Sequence, residues 1–128
     1  MTTDALVQRG KKLRIEIDVA YKKLSDARVI KPRDASDITE VVIEYIPVGI
    51  SFDEAECILR SAGFSVDPRP SDHPIGNRPD RFDVVGSIVP YVQQPLSRVN
   101  VYISLSPNAP GDYRKVKKVN AAFVLSTL

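Results

Sequence analysis

A helix with clear signals at both of its ends most restricts how this chain can fold. Ser51 and Glu54 have the spacing of a capping box, in which the serine hydroxyl accepts the Glu54 backbone N–H and the glutamate accepts the Ser51 N–H. Gly63 suits the left-handed residue that ends a helix, and Phe64 can then fold back on the last turn. Between these signals, four apolar residues share one helical face: Ala55, Ile58, Leu59 and Ala62. The pattern predicts a short helix over residues 52–62.

Composition narrows the class of protein. The length of 128 residues suits one domain, and 43% hydrophobic with 27% charged residues is typical of a small soluble globular protein. A net charge of +2 favours neither nucleic acid nor an anionic membrane. The single cysteine, Cys57, excludes an internal disulfide, and no apolar run reaches the length of about 18 residues that a membrane span needs. Residues 1–9 lack signal-peptide features, which indicates the cytoplasm as the sequence stands; a removed signal would indicate the periplasm or outer membrane.

The N-terminal segment, residues 4–28, fits two interpretations. At helical spacing, one stripe is apolar: Leu6, Leu13, Ile17, Ala20, Leu24 and Ala27. At period two, a strand would place on one face Leu13, Ile15, Ile17, Val19 and Tyr21. The length and the i,i+4 pair of Asp18 and Lys22 favour the helix. We expect an N-terminal helical segment over residues 1–31, with a strand as the alternative, followed by an α+β domain over residues 32–128.

A linker and a second helix come next. Residues 31–36 have the proline and polar content of a linker. Asp37 can cap a helix that Pro47 ends, because the residue before a proline disfavours the α conformation. The predicted helix covers residues 37–46 and has one apolar face: Ile38, Val41, Val42, Tyr45 and Ile46. A strand is the alternative, since Val41, Ile43 and Tyr45 alternate.

Three strands are predicted after an irregular, proline-rich loop at residues 67–81. The first covers residues 82–92, with Gly86 as a bulge. The second, at residues 98–106, alternates most regularly, with four residues facing the core and Asn100, Tyr102, Ser104 and Ser106 facing out. The third covers residues 116–127. Short connections make these strands an antiparallel meander, and the helices cover its apolar face. The expected fold class is α+β, a two-layer sandwich of N-terminal helices on a three-stranded antiparallel sheet.

The order of two helices and a meander, over residues 37–128, resembles the SmpA/OmlA outer-membrane lipoproteins and the β-lactamase inhibitory protein. The family signature begins with a Gly-Met-Thr turn, which resembles residues 49–51 here, Gly-Ile-Ser. Ala55 stands at the family's valine position, and residues 58–59 stand at its leucine-rich end. Arg60 occupies the position of the family's glycine, and the closing glycine comes three residues later. The resemblance implies a non-catalytic protein-binding module of the bacterial cell envelope that uses its exposed sheet face and loops.

Residues for catalysis, cofactor binding or metal binding do not cluster in the sequence. His73 is the only histidine and lies among prolines, so neither a catalytic triad nor a histidine-based metal site is expected. The lone Gly76 does not make a phosphate-binding loop. Two basic runs, at residues 9–14 and 114–118, allow nucleic-acid binding as the alternative, with Tyr102 and Tyr113 nearby in sequence. We expect no catalytic, cofactor or metal site.

The loop at residues 67–81 is the candidate partner-binding segment. Its polar residues could bind an acidic or carbonyl-rich protein surface, and its prolines lower the cost of ordering it. The partner-binding hypothesis names Arg69, Asn77, Arg78 and Arg81. The expected function is a small protein-interaction or structural module with a protein partner. The alternative is a cytoplasmic accessory domain that binds nucleic acid or a ligand.

Overall fold

The computed structural model describes residues 2–26, 35–69 and 82–127. Its elements, in chain order, are α1 (Thr3–Asp26), β1 (Ala35–Asp37), α2 (Thr39–Ile43), α3 (Phe52–Ser61), β2 (Ser65–Val66), β3 (Val84–Gln93), β4 (Ser97–Pro107) and β5 (Val116–Thr127). The α+β class is confirmed, and so is the helical interpretation of the N-terminal segment. The predicted boundary between residues 31 and 32 lies outside the described residues.

Within the described ranges the sheet has five antiparallel strands in the order β1-β5-β4-β3-β2, so the predicted three-stranded meander is too small. The three predicted strands correspond to β3, β4 and β5. The additional strands are short and lie at the two edges. β1 pairs with β5 opposite residues 122–124, and β2 pairs with β3 opposite Gly86 and Ser87. A strand of two or three residues is too short to show a period-two pattern, which is why the sequence did not predict either one.

The serine half of the predicted capping box and the predicted stop at Gly63 are both present in α3. The Ser51 hydroxyl accepts the Glu54 backbone N–H at 3.1 Å. At the other end, Gly63 adopts a φ of 94°, its N–H reaches the Arg60 carbonyl at 3.0 Å, and the Phe64 N–H reaches the Leu59 carbonyl at 3.0 Å. These two bonds form a Schellman motif. α3 therefore begins and ends where its sequence places it.

The helix predicted over residues 37–46 is shorter than expected. Asp37 ends β1, and the regular helix α2 covers only Thr39–Ile43. Contacts with β5 hold this segment: the Ile38 N–H donates to the Ala121 carbonyl at 2.9 Å, and the Ala121 N–H donates to the Thr39 hydroxyl at 3.0 Å. Strand pairing thus replaces the predicted first turn, and the last two residues of the predicted linker, 35 and 36, belong to β1.

All three helices pack on the same face of the sheet. Fully buried side chains from each helix or its flanks, such as Ile17, Val42 and Ile58, meet the inner face of β4 and β5. α1 and α3 cross closely at Gly10, where an added Cβ would lie 2.5 Å from the Ile58 carbonyl oxygen. Helix propensity alone argues against a glycine inside α1, so the close crossing explains the residue.

Gly86 is not the predicted bulge. It pairs in register with Ile103, and the irregularity of β3 lies between Ile88 and Val92. Gly86 instead lies close to α3 and the residue that follows its cap, since an added Cβ would be 3.0 Å from Leu59 Cδ1 and 3.6 Å from Phe64 Cβ. The missing side chain makes room for the end of the helix.

Candidate functional site

The face of the sheet opposite the helices, here called the open face, carries a row of polar side chains on the central strand β4. Arg98, Asn100 and Tyr102 follow one another at period two along this row. Small or aliphatic residues surround them on the neighbouring strands: Ser87 on β3, and Ala122, Val124 and Ser126 on β5. No described helix packs on this face. The open face is therefore a surface of small side chains with three large polar ones at its centre.

Asn100 is the unusual member of the row. It is only 3% exposed, its side-chain N–H donates to the Tyr102 hydroxyl at 3.3 Å, and its carbonyl oxygen Oδ1 has no hydrogen-bond partner among the residues that the structure describes. The strand β3 is irregular opposite Asn100, between Ile88 and Val92. Leaving a buried polar atom without a partner costs about 1–3 kcal/mol. Native structures rarely contain such an atom without a reason.

Arg98 has a comparable unused group. Its Nε is buried and has no hydrogen-bond partner, and Arg98 forms no ion pair within the three described ranges. Its cross-strand neighbours are uncharged: Gln93 on β3 and Ser126 on β5. A guanidinium offers five N–H donors in a planar fork that matches a carboxylate. Arg98 and Asn100 thus place an unpaired donor and an unpaired acceptor on the same face.

A cavity of about 350 Å³ opens beside Tyr102 at the β1 side of the open face. Ser104, Asn120, Ala122 and Asp37 line it together with Tyr102. The Asp37 carboxylate accepts the Thr39 N–H at 2.8 Å, and hydrogen bonds from Thr39 hold the pKa of Asp37 below its ordinary value. The cavity therefore combines a fixed negative charge with small side chains and an aromatic ring.

Arg69, the one described residue of the predicted partner-binding set, contacts its own protein. Its Nη2 lies 2.6 Å from Asp53 Oδ1 and 2.7 Å from Glu56 Oε2, and its guanidinium lies 5.7 Å from the centre of the Tyr113 ring. The hydrogen bond to Glu56 is the main cause that raises the pKa of Arg69. Glu56 is only 7% exposed, so Arg69 neutralises a largely buried carboxylate on α3.

Tyr113 connects the two described ends of the predicted loop. Arg69 lies over its ring, and its hydroxyl donates to the Phe82 carbonyl at 2.8 Å. The ring also packs edge-on against Phe52, with 5.2 Å between the ring centres. Asn77, Arg78 and Arg81 of the predicted set, and His73, lie outside the described residues. The described part of the loop is thus an anchor on α3 and on Tyr113, which lies in the connection between β4 and β5.

The first basic run is partly committed to the fold. Arg14 pairs with Asp18 at 3.1 Å and donates to the Ala62 carbonyl at 3.1 Å, which links α1 to the end of α3. The Asp18 carboxylate also accepts the Tyr91 hydroxyl on β3.

Among the residues that the structure describes, no group of three histidine, cysteine or acidic side chains could hold a metal ion. No described helix has the length and apolar character to cross a membrane.

Searches among protein families, curated proteins and solved structures found no match to this chain. The resemblance to SmpA/OmlA lipoproteins therefore stays a prediction. The alternation along the second predicted strand puts Asn100 and Tyr102 on the outer face, as in the structure. The sequence gives no reason to include Arg98 in a candidate site. Nothing in the sequence signals that Asn100 would be buried with an unsatisfied oxygen, because that depends on the irregular stretch of β3.

Proposed function

We propose that this protein is a non-catalytic interaction module that binds a protein partner through the open face of its sheet. The observation that carries the proposal is the row Arg98, Asn100 and Tyr102, in which a guanidinium Nε and an amide oxygen lack partners within the described residues. Both atoms are buried in the free protein, so a partner would reach them by displacing the side chains that cover them, and would then remove the cost of leaving them unpaired. Arginine and tyrosine are also the residue types that most often dominate binding energy at protein interfaces.

The row defines the chemistry of the partner. The guanidinium of Arg98 would bind a carboxylate of the partner, preferably one held rigidly enough to accept two parallel N–H donors. Asn100 Oδ1 calls for an N–H or O–H donor, and Tyr102 offers a ring beside an open cavity. A folded protein surface with an acidic side chain and a neighbouring donor satisfies all three.

The proposal also includes the loop at residues 67–81 as a partner-binding segment and the bacterial cell envelope as the location of the protein. The partner-binding proposal retains Asn77, Arg78 and Arg81 as further partner contacts, whereas Arg69 is held within the protein by Asp53 and Glu56. The resemblance to envelope lipoproteins supports a bacterial cell-envelope location. Replacing both Arg78 and Arg81 by Ala should weaken partner binding, and fractionating cells that express the full gene product tests the compartment.

Site-directed photo-crosslinking in the source cells tests the open face. A photoreactive amino acid at Ser104, which lines the cavity beside Tyr102, should give a defined crosslinked protein that mass spectrometry identifies. The same group at Glu16, exposed on α1, is the matched control. No crosslinked species at Ser104, or the same species at both positions, would contradict the proposal.

Binding of the identified protein in purified form completes the test. Arg98→Ala and Tyr102→Ala should each weaken the affinity by about tenfold or more, as expected for contacts that dominate an interface. Lys12→Ala, on the exposed part of α1, should leave the affinity unchanged. A crosslinked nucleic acid instead of a protein, with binding that falls steeply with salt, would favour the alternative of a nucleic-acid-binding domain.

A further inference from the structure

A second candidate site lies away from the open face, where the turn between α2 and α3 meets the start of β5. A cavity of about 500 Å³ opens there, within the range of small-molecule pockets. Two segments line it, here called its two walls: residues 48–49 of the turn and residues 114–117 at the start of β5, with Asn108 and Asp112 beside them. The lining therefore combines the apolar side chain of Val48 with three cations and one carboxylate.

Backbone hydrogen bonds fix the two walls relative to each other. The Gly49 N–H donates to the Val116 carbonyl at 2.8 Å, and the Val116 N–H donates to the Ile50 carbonyl at 2.8 Å. Ser51 and Lys115 form an isolated antiparallel bridge next to these bonds. Gly49 has a φ of 97°, a backbone conformation that other residues rarely adopt. The site is thus largely preformed.

The three cations of the lining are incompletely neutralised. Arg114 pairs with Asp112 through two bonds, Nε to Oδ1 at 2.9 Å and Nη2 to Oδ2 at 3.1 Å. Neither Lys115 nor Lys117 forms an ion pair with any described carboxylate, although both line the same cavity. A break in the regular pairing of β4 and β5 near Pro107 leaves Lys117 exposed between the buried residues Val116 and Val119. Three cations and one carboxylate give the cavity a charge of about two positive units.

We infer that this cavity binds a small organic phosphate monoester, with the phosphate between Lys115 and Lys117 and the organic group against Val48. A phosphate monoester carries a charge of about −1.5 to −2 at pH 7, which matches the unpaired charge of the cavity. Lysine ammonium groups bind phosphate as point charges and supply three donors each. Val48 is 60% exposed and would be covered by the organic group.

An NMR titration with phenyl phosphate at low ionic strength tests the inference. Phenyl phosphate should shift the backbone amide signals of residues 48–49 and 114–117 in a saturable manner, and inorganic phosphate should bind the same residues more weakly. Lys115→Gln combined with Lys117→Gln should weaken phenyl phosphate binding by about tenfold or more, because the double variant removes both of the unpaired charges that would hold the phosphate.

A matched charge control separates a site from general attraction. Lys11→Gln combined with Lys12→Gln removes the same charge from exposed positions on α1 and should keep the wild-type affinity. Equal weakening by both double variants would overturn the inference, and so would the absence of shifts at residues 48–49 and 114–117. A single-stranded oligonucleotide that binds where phenyl phosphate does not would also overturn it, in favour of a nucleic-acid surface.

Discussion

The two faces of β4 use the same backbone but treat burial in opposite ways. On the covered face, every second residue is fully packed under the helices: Val99, Val101, Ile103 and Leu105 are at most 2% exposed. On the open face, Asn100 is nearly as buried, at 3%, yet no described group forms a hydrogen bond with its amide oxygen. Apolar burial stabilises the fold, whereas burial of an unsatisfied polar atom opposes it. Low exposure alone therefore does not distinguish Asn100 from the core residues of β4; hydrogen-bond satisfaction does.

The largest expected loss of stability is that of Val101→Ala on the covered face, and Val124→Ala is the matched variant on the open face. Val101→Ala deletes two methyl groups at a fully buried position and should lower the free energy of unfolding by about 2–3 kcal/mol through lost burial and a cavity. Val124→Ala deletes the same groups from the half-buried open face, where the loss should stay below about 1 kcal/mol. Urea denaturation monitored by circular dichroism measures both. Equal losses would mean that the open face is packed like the core.

The second prediction concerns the closest contact within the covering layer. Gly10→Ala places a methyl group 2.5 Å from both the Ile58 carbonyl oxygen and Ser61 Cβ. The clash should destabilise the protein by about 1–2 kcal/mol, even though alanine favours a helix over glycine by about 1 kcal/mol. Gln8→Ala, exposed in the same part of α1, is the control and should change little. A gain of stability in Gly10→Ala would show that α1 can shift on α3 without cost.

The two short helices show which parts of the fold could be read from sequence. The ends of α3 depend on groups within a few residues of each other, Ser51 with Glu54 and Gly63 with Arg60, so local rules predicted them. The start of α2 depends on hydrogen bonds from Ile38 to Ala121, which lie far apart in sequence. The cap-like pattern at Asp37 therefore predicted the wrong start for the helix, because the Ile38 N–H bonds to β5 instead of taking part in a first helical turn.

Long-range contacts also explain why the sequence did not predict the two edge strands, the role of Gly86 or the contacts of Arg69. β1 and β2 exist only through their pairing with β5 and β3. Gly86 looked like a bulge because the apolar phase shifts there, but its role is to admit Leu59. Arg69 was predicted to face a partner, and its contact with a largely buried Glu56 could not be foreseen from sequence. Alternation along a strand predicts which face a residue occupies, but not whether its polar atoms find partners.

A third prediction concerns Arg69, which pairs at the rim of the covering layer. Arg69→Ala would leave Glu56, with a side chain only 9% exposed, without its cation. The free energy of unfolding should fall by about 1–2 kcal/mol, less than for a fully buried pair because the Arg69 side chain is 36% exposed. Arg60→Ala, exposed on the same helix, is the control. Adding Glu56→Gln to Arg69→Ala should restore most of the loss; a loss no larger than that of Arg60→Ala would exclude an anchoring role.

The fourth prediction concerns Asn100→Leu, which has the smallest expected effect on stability and should increase it, whereas the variants above should lower it. Asn100→Leu replaces a buried amide by an apolar group of similar size, so the missing partner of Oδ1 no longer matters. The free energy of unfolding should rise by about 1 kcal/mol, since the long bond to Tyr102 at 3.3 Å contributes less than the unsatisfied oxygen costs. Asn120→Leu, on the same face but exposed, should leave stability within about 0.5 kcal/mol.

The gain in stability should come with a loss of binding, because Asn100→Leu removes the acceptor that the partner is proposed to satisfy. Affinity for the protein identified by crosslinking at Ser104 should fall in Asn100→Leu and stay at the wild-type value in Gln8→Ala, which is exposed on α1 away from the open face. Opposite changes in stability and affinity at one residue are what a binding site held at a cost to the fold produces. A variant that is more stable and binds equally well would show that Asn100 is a tolerated defect of packing, and the open face would then need another explanation.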